Sequence, residues 1–177
     1  MTYDFHGSWN VEANYPAPLY TDDESNIDFI VQYWISKGAS PMKICLGIPL
    51  YGRSWILSTN QTLPPAPASG AGTPGLYTDE EGLLAYSEIC TLLKNPQWTV
   101  EADDQSGIYA YSTETAMWVG YDDVDTVVLK TKYAINRHLA GVMVWDVSMD
   151  DFRGSCEGVR NPLTSAIADT LNATHLN

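Results

Sequence analysis

The stretch that decides the fold is KICLGIPL, at residues 43–50. It is a continuous apolar run, which is typical of a strand covered on both faces, because neither face then needs polar residues. A second run of this kind, GVMVW, occupies residues 141–145. We expect both runs to form buried strands of a parallel sheet.

Helical segments accompany these strands. A helix that begins after Asn26 as N-cap is predicted by apolar residues at i, i+3, i+4 and i+7, namely Ile27, Ile30, Val31 and Trp34. A second helix is expected over about 123–138, with Asp122-Asp123 as its solvated start, and a third from near Pro162. A short strand is expected at residues 1–6. This alternation predicts parallel pairing with right-handed crossovers.

The long interruption between the two runs has a different pattern. Residues 63–75 are rich in Pro, Gly and Ala, and we expect no regular structure there. Residues 78–81 fit a capping box, with Thr78 as N-cap and Glu81 at position N3 of a helix. Strands are expected further on, at 98–101, 108–111 and 116–120. The interruption therefore predicts a small α+β module inserted into an α/β frame.

Charge and composition limit the class of ligand. The chain has 177 residues, with 9 Lys+Arg against 22 Asp+Glu, and a formal net charge of −13. We expect neither nucleic acid nor an anionic membrane as partner, because both require a basic surface. No signal peptide is visible, and no apolar run approaches the roughly 18 residues of a membrane span. The 6 Trp and 11 Tyr favour a neutral ligand that stacks on aromatic rings.

The cysteines bear on metal binding and on compartment. They form no CxxC pair and no EF-hand spacing is present, so we expect neither a metal nor a cofactor. Cys45 lies in the first apolar run and is predicted to be a core residue. Cys90 and Cys156 have more polar surroundings and could pair. Asn60 and Asn172 begin glycosylation sequons, and together these features favour a secreted, extracellular protein.

Seven segments spread along the chain are informative together. They are MTYDFHGSW (1–9), LGIPLYGRS (46–54), GTPG (72–75), YSEIC (86–90), WVGYDD (118–123), GVMVW (141–145) and MDDF (149–152). In this order they resemble family 18 of the glycoside hydrolases, the chitinases and chitinase-like lectins, and in particular the animal type. The first two resemble the sixth and seventh barrel strands, the next two the chitinase insertion domain, and the last three the approach to the eighth strand and its continuation.

The resemblance implies a partial (β/α)8 TIM barrel, strands six to eight with their helices, that carries an inserted α+β chitinase insertion domain. The barrel part would be 1–54 and 119–177, and the insertion domain 55–118. The family's acidic signature on the fourth strand, Asp-x-x-Asp-x-Asp-x-Glu, is absent from this sequence. We therefore expect the chain to need the N-terminal half of the barrel, and to fold poorly and lack chitinase activity alone.

The resemblance also implies a function for the full-length parent. It would hydrolyse chitin or chito-oligosaccharides by retaining, substrate-assisted cleavage of β-1,4-linked N-acetylglucosamine, with the substrate acetamide as nucleophile. The alternative is a non-catalytic chitinase-like lectin, which keeps the aromatic cleft and lacks the acid. A purely structural secreted fragment is a third possibility. The deciding Glu of the acidic signature lies outside the chain.

Site residues follow from the matched segments. Tyr3 would donate a hydrogen bond to the acetamide oxygen, a contact that strengthens in the transition state. Arg53 would pair with Asp4 and hydrogen-bond the sugar, since its planar fork suits both tasks. Tyr51 would stand beside Arg53 on the cleft wall. Tyr3 and Asp4 can both reach the cleft only if the strand ends there, because side chains alternate along a strand.

The remaining assignments concern stacking and cross-links. Trp145 would form the cleft floor under the sugar, and Trp9 would stack on the leaving-group side. Glu80 would reach into the cleft. An equal interpretation is that Glu80 is a favourable charge in the first turn of a helix. We also expect Met1 to be a substrate-binding residue. Cys90 and Cys156 align with a family disulfide between the insertion and the loop after strand eight.

Overall fold

The strands form two separate sheets in a computed structural model that describes residues 1–103 and 106–174. The strands are β1 (Glu12–Ala13), β2 (Cys45–Pro49), β3 (Tyr51–Leu57), β4 (Ala66–Ala71), β5 (Leu83–Ala85), β6 (Trp98–Asp103), β7 (Gly107–Ser112), β8 (Met117–Tyr121) and β9 (Gly141–Trp145). The helices are α1 (Ile27–Ser36), α2 (Tyr86–Leu92), α3 (Val124–Asn136) and α4 (Pro162–Thr174), with short 3-10 turns at Pro41–Lys43 and Val147–Met149. Over the described ranges, no helix has the length and apolar character needed to cross a bilayer.

One sheet is the parallel pair of β2 and β9, in register from Cys45–Gly141 to Pro49–Trp145. The face of this sheet that carries Leu46 and Ile48 packs on α1, α3 and α4 in two adjoining clusters. The buried members include Leu46, Ile27, Val31, Tyr133 and Ala134 in one, and Ile48, Leu50, Val127, Leu163 and Ile167 in the other. The predicted strands, their parallel pairing and the helices around them are confirmed, as is the Asn26 cap, which accepts from the Phe29 N–H at 2.8 Å.

Two expectations about this sheet are wrong. Cys45 is exposed rather than in the core, because alternate residues of a strand face opposite sides and its neighbour Leu46 takes the side that packs on the helices. Residues 1–6 do not form a strand. Thr2 contacts β2 through its hydroxyl, which donates to the Gly47 carbonyl at 2.7 Å, and the chain turns at Asp4, where φ is +61°.

The other sheet has seven antiparallel strands, six of them in the order β1-β4-β3-β8-β7-β6, with β5 also paired to β3. The three strands expected at 98–101, 108–111 and 116–120 are confirmed as β6, β7 and β8. The segment 63–75, expected to be irregular, contains β4, because its small side chains allow a strand that pairs with β3 on one side and with β1 on the other. Apart from β1, its strands run along the chain from β3 to β8, so boundaries at 54/55 and 118/119 pass through these two strands.

Leu50 joins the two sheets through its backbone. Its N–H donates to the Trp145 carbonyl at the end of β9, at 2.9 Å, and its carbonyl accepts from the Tyr86 N–H at the start of α2, at 3.0 Å. The residue is itself fully buried. Because β2 ends at Pro49 and β3 begins at Tyr51, this single residue sets how the two sheets meet.

Glu88 organises the loop between β4 and α2. Its carboxylate accepts four hydrogen bonds, from the N–H groups of Tyr77 (2.6 Å), Thr78 (3.2 Å) and Ala85 (2.9 Å) and from the Thr78 hydroxyl (2.9 Å). The capping box at 78–81 is therefore wrong, since Thr78 is bound to Glu88 and the helix begins only at Tyr86. Burial alone would raise the pKa of Glu88, but these hydrogen bonds hold it below its usual value.

A disulfide between Cys90 and Cys156 ties α2 to the segment that follows β9, which confirms the pairing that the family resemblance implied. Lys94 adds a hydrogen bond from its ammonium to the Ser155 carbonyl at 2.5 Å. The two sulfurs and an oxygen of Asp151 lie within 4.8 Å of one another. Because the sulfurs are bonded to each other, they are not free to bind a metal.

Asp122 is buried and not a solvated helix start. Its two carboxylate oxygens accept from the Lys130 ammonium at 2.6 and 2.5 Å, and the side chains are 3% and 2% exposed. Asp123 does cap α3, accepting from the Thr126 N–H at 2.8 Å. The Asp122–Lys130 pair therefore fixes α3 to the end of β8 within the core.

Lys130→Met should lower the free energy of unfolding by about 3–5 kcal/mol, because it leaves the Asp122 carboxylate buried without a counter-charge. Lys132→Met is the matched control, since Lys132 is exposed on the same helix and its loss should change stability by about 0.5 kcal/mol or less. Equilibrium urea denaturation measures both. Equal effects of the two substitutions would contradict the assignment.

Glu88→Gln should lower the melting temperature at pH 7, because an amide cannot accept all four hydrogen bonds that the carboxylate accepts. The folded-state pKa of Glu88 is depressed, so its contribution is present above the unfolded pKa and is lost as pH falls through the folded pKa. The difference between wild type and variant should therefore shrink in acid. The exposed neighbour Glu81→Gln is the control. A difference that persists unchanged at low pH would show that ionisation of Glu88 is not its cause.

Candidate functional site at the ends of β2 and β9

The carboxyl ends of β2 and β9 meet at one edge of the parallel pair. Trp145 ends β9 in register with Pro49, which ends β2, and Tyr51 begins β3 one residue beyond Leu50. In barrels of parallel strands, active sites lie at this end of the strands. The first residues of the chain pass the same edge, since Thr2 is bonded to Gly47.

Asp4 is the centre of a hydrogen-bond network at this edge. Its Oδ1 accepts from the Tyr51 hydroxyl at 2.8 Å and from Arg53 Nε at 2.9 Å, and its Oδ2 accepts from Arg53 Nη2 at 2.8 Å. The two bonds to Arg53 form the bidentate arrangement that fixes a carboxylate in direction as well as position. The structure thus brings Asp4, Tyr51 and Arg53 together.

Strand geometry explains why two residues of β3 reach one carboxylate. Tyr51 and Arg53 are two apart, so both project from the same face of the strand. Arg53 is held on both sides, paired with Leu83 of β5 and with Gly120 of β8. The residue between them must be glycine, because a Cβ at Gly52 would lie 2.7 Å from the Gly120 carbonyl oxygen.

Arg53 also contacts the residues that flank the network. Its guanidinium lies 5.1 Å from the ring centre of Trp9 and 5.2 Å from that of Tyr51, and its Nη1 is 3.8 Å from a carboxylate oxygen of Glu80. Burial would lower the pKa of Arg53, but the hydrogen bonds and charge of Asp4 raise it overall. Burial, and then the hydrogen bond to Asp4, raise the pKa of Tyr51. Arg53 is therefore charged and Tyr51 protonated at neutral pH.

Tyr3 lies against the face of β2 that is opposite the helices. A Cβ on Gly47 would come within 2.9 Å of its Cε1 atom, and its ring meets that of Tyr51 edge-on with centroids 6.1 Å apart. The Tyr3 hydroxyl is buried and has no hydrogen-bond partner among the described residues. Burial, and then the charge of Asp4, raise the pKa of Tyr3. The phenol therefore keeps its proton at neutral pH and has a donor to offer.

The other expected site residues are exposed to solvent. Trp145 is 54% exposed and Trp9 58%. In-register residues of a parallel pair project from one face, so Trp145 shares with Pro49 and Gly47 the face that Tyr3 covers. Glu80 and Met1 are exposed, and the Met1 backbone runs beside Gly47. The roles of all these residues towards a ligand stay predictions.

Two residues that shape the site had no role predicted from the sequence. Glu88 lies in the segment YSEIC, and only the fold reveals that it holds the loop before Glu80. Gly47 leaves the space that the Tyr3 ring occupies. An isolated glycine inside a strand is a signal of close approach, so this contact was detectable. Asn60 is exposed in the turn after β3, and Asn172 lies near the end of α4.

Comparison with known proteins identifies the family. The family described as "Glycosyl hydrolases family 18" matches residues 1–150. Human chitinase-3-like protein 2 is 38% identical over 98% of this chain and 46% of its own length. The chain thus spans about half the length of the curated relative it matches.

Solved structures agree as well. Human YKL-39, described as a pseudo-chitinase with retained chitooligosaccharide binding properties, superposes with a TM-score of 0.91 at 38% identity over 97% of this chain and 49% of its own. The Group IV chitinase of Ostrinia furnacalis, solved in complex with allosamidin, gives 0.93 at 36% identity over 98% and 49%. The fold neighbours are family 18 proteins of the TIM-barrel type with mixed α/β content. This chain belongs to family 18 of the glycosyl hydrolases.

Proposed function

We propose that this chain forms the substrate-orienting part of a site for chitin or chito-oligosaccharides, in a protein that hydrolyses β-1,4-linked N-acetylglucosamine with retention. The observation that carries the proposal is the buried Tyr3 hydroxyl without a partner. An unsatisfied buried donor is costly unless a ligand completes it. An acetamide oxygen is the acceptor that this reaction would supply.

The chemistry assigned to Tyr3 follows from its position and protonation. In substrate-assisted cleavage, the acetamide oxygen attacks the anomeric carbon and forms the new bond as the leaving group departs. A phenol that donates to this oxygen orients it for attack. Orientation acts on the attack itself, so it lowers the barrier rather than only the dissociation constant.

Asp4 and Arg53 would fix the framework around that step. Each Asp4 oxygen already accepts from Arg53, and one accepts from Tyr51 as well, so the carboxylate cannot rotate freely. Arg53 has more N–H donors than these bonds use, and the remainder can bind sugar hydroxyls. We therefore assign Asp4, Tyr51 and Arg53 to positioning and binding rather than to proton transfer.

The exposed aromatic rings supply the stacking surfaces. Trp145 would lie beneath the sugar whose acetamide meets Tyr3, because both project from the same face of the parallel pair. Trp9, held over Arg53, would stack on the sugar of the leaving group. Glu80 would contact the chain from the side of the insertion, and Met1 would complete the edge of the cleft.

The finer architecture belongs to this proposal. We assign the chain to strands six to eight of a TIM barrel with its chitinase insertion domain, to be completed by the N-terminal half of the barrel. Protonation of the leaving oxygen would then come from a glutamic acid outside this sequence. The parent would be secreted, with Asn60 and Asn172 as candidate glycosylation sites.

A chitinase-like lectin is the second candidate. It is favoured by the likeness to human YKL-39, a pseudo-chitinase with retained chitooligosaccharide binding properties. Both candidates use the same aromatic surface, and they differ in turnover. Incubating the full-length protein with a chito-oligosaccharide separates them: hydrolysis supports the enzyme, binding without hydrolysis supports the lectin, and absence of binding contradicts both.

Tyr3→Phe should lower kcat on chito-oligosaccharides by on the order of 10²-fold, because the acetamide oxygen loses the donor that orients it for attack on the anomeric carbon. The melting temperature should not fall, because the hydroxyl has no hydrogen-bond partner to lose among the residues that the structure describes. Initial rates and thermal melts of the full-length protein test this. Tyr109→Phe, a buried tyrosine of β7, is the control. Full activity in Tyr3→Phe would remove the assigned role.

Trp145→Ala should raise the Kd for a chito-oligosaccharide by about tenfold, which corresponds to about 1.4 kcal/mol of lost stacking and burial. Trp34→Ala is a matched control, because Trp34 is a similarly exposed tryptophan (60% against 54%) on α1, away from the site. Titration calorimetry compares the two variants with wild type. The stacking role is wrong if both variants weaken binding equally.

A further inference from the structure

A cavity of about 710 Å³ lies between α2, the loop that precedes it and the segment after β9. No residue of the Asp4 network lines it, so it is separate from the proposed chitin site. Its size falls within the range of about 300–1,000 Å³ that is typical of small-molecule sites. The disulfide and Lys94 contact described above hold its two sides together.

The walls of this cavity are mainly apolar. They include Leu76, Leu84, Leu92, Met117, Met149 and Phe152. Leu84 and Met117 are buried and form the interior, whereas Phe152 is 50% exposed and Leu76 84% exposed. Apolar surface that a ligand removes from water contributes roughly 25 cal/mol per Å², so an apolar ligand body would be stabilised here.

Two cationic side chains line the opening. Arg153 and Lys94 are both exposed lining residues. The Arg153 guanidinium lies 5.4 Å from the ring centre of Tyr77 and 5.2 Å from that of Phe152, and its Nη1 donates to the Tyr77 hydroxyl at 3.3 Å. These contacts orient Arg153 yet use only part of its five donors. The opening can therefore bind an anionic group.

The negative groups lie deeper. Glu88 and Asp151 also line the cavity but are 7% and 1% exposed. The Glu88 oxygens are occupied by the four hydrogen bonds of its loop, and Asp151 Oδ2 accepts from the Cys156 N–H at 2.7 Å. These two buried carboxylates beneath a positive opening orient an amphipathic anion with its charged group outward.

We propose that this cavity is a second binding site, for an apolar molecule with one carboxylate, such as a medium-chain fatty acid. The hydrocarbon chain occupies the apolar interior, and the carboxylate binds Lys94 and Arg153 at the opening. The net charge of −13 opposes anion binding over most of the surface. These two cations therefore determine whether a carboxylate binds.

Titration calorimetry of the whole protein with decanoate, below its micellar concentration, tests the site. Lys94→Gln with Arg153→Gln should raise the Kd for decanoate about tenfold, because charge-assisted hydrogen bonds are lost. The matched control, Lys132→Gln with Arg160→Gln, removes the same charge from two exposed residues that do not line the cavity and should leave the Kd unchanged. Binding of decanol, the neutral analogue, should be the same in all three proteins.

Thr91→Trp gives an independent test, since Thr91 is an exposed lining residue of α2 and the larger side chain fills the cavity. This variant should lose decanoate and decanol binding while its melting temperature and chito-oligosaccharide affinity are retained. The proposal is overturned if decanoate does not bind wild type, if the control variant weakens it equally, or if folded Thr91→Trp still binds it. Because chito-oligosaccharide affinity is measured separately, these outcomes do not depend on the proposed function.

Discussion

The bidentate contact between Asp4 and Arg53 is the interaction on which the site depends. It joins the first residues of the chain, which lack regular structure, to β3 in the antiparallel sheet. Arg53 in turn aligns Trp9 and faces Glu80. Because Asp4 lies at a left-handed turn, the chain leaves β2 there, and Tyr3 remains against the face of that strand that is opposite the helices. One ion pair thereby positions groups from the start of the chain, the turn at Trp9, strand β3 and the loop at Glu80.

The connection between the two sheets preserves the relative positions of these groups. Leu50 is the only residue between β2 and β3, and its backbone bonds reach β9 on one side and α2 on the other. The positions of Trp145 and Arg53 are consequently coupled through a few backbone hydrogen bonds. Glu88 and the disulfide at Cys90 then attach α2 and its loop to the same body.

Sequence patterns predicted the elements whose burial is local and periodic. The runs at 43–50 and 141–145 and the Asn26 cap were found because each needs only neighbours in sequence. The failures have long-range causes. Thr78 could not cap a helix because Glu88, ten residues on, binds it, and β4 forms because it pairs with both β1 and β3. The pairing of Asp4 with Arg53, 49 residues apart, came from family resemblance, which periodicity does not provide.

The absent side chain at Gly47 has a consequence for how such sites diversify. Any Cβ there would meet the Tyr3 ring and the Thr2 and Met1 backbone, while the helix-facing side of β2 would be undisturbed. A substitution at this position would therefore displace the phenol from the cleft without altering Tyr3 itself. Under the proposed function, a protein changed in this way would lose turnover and retain its glycan, while every residue proposed to contact the sugar remained in its sequence.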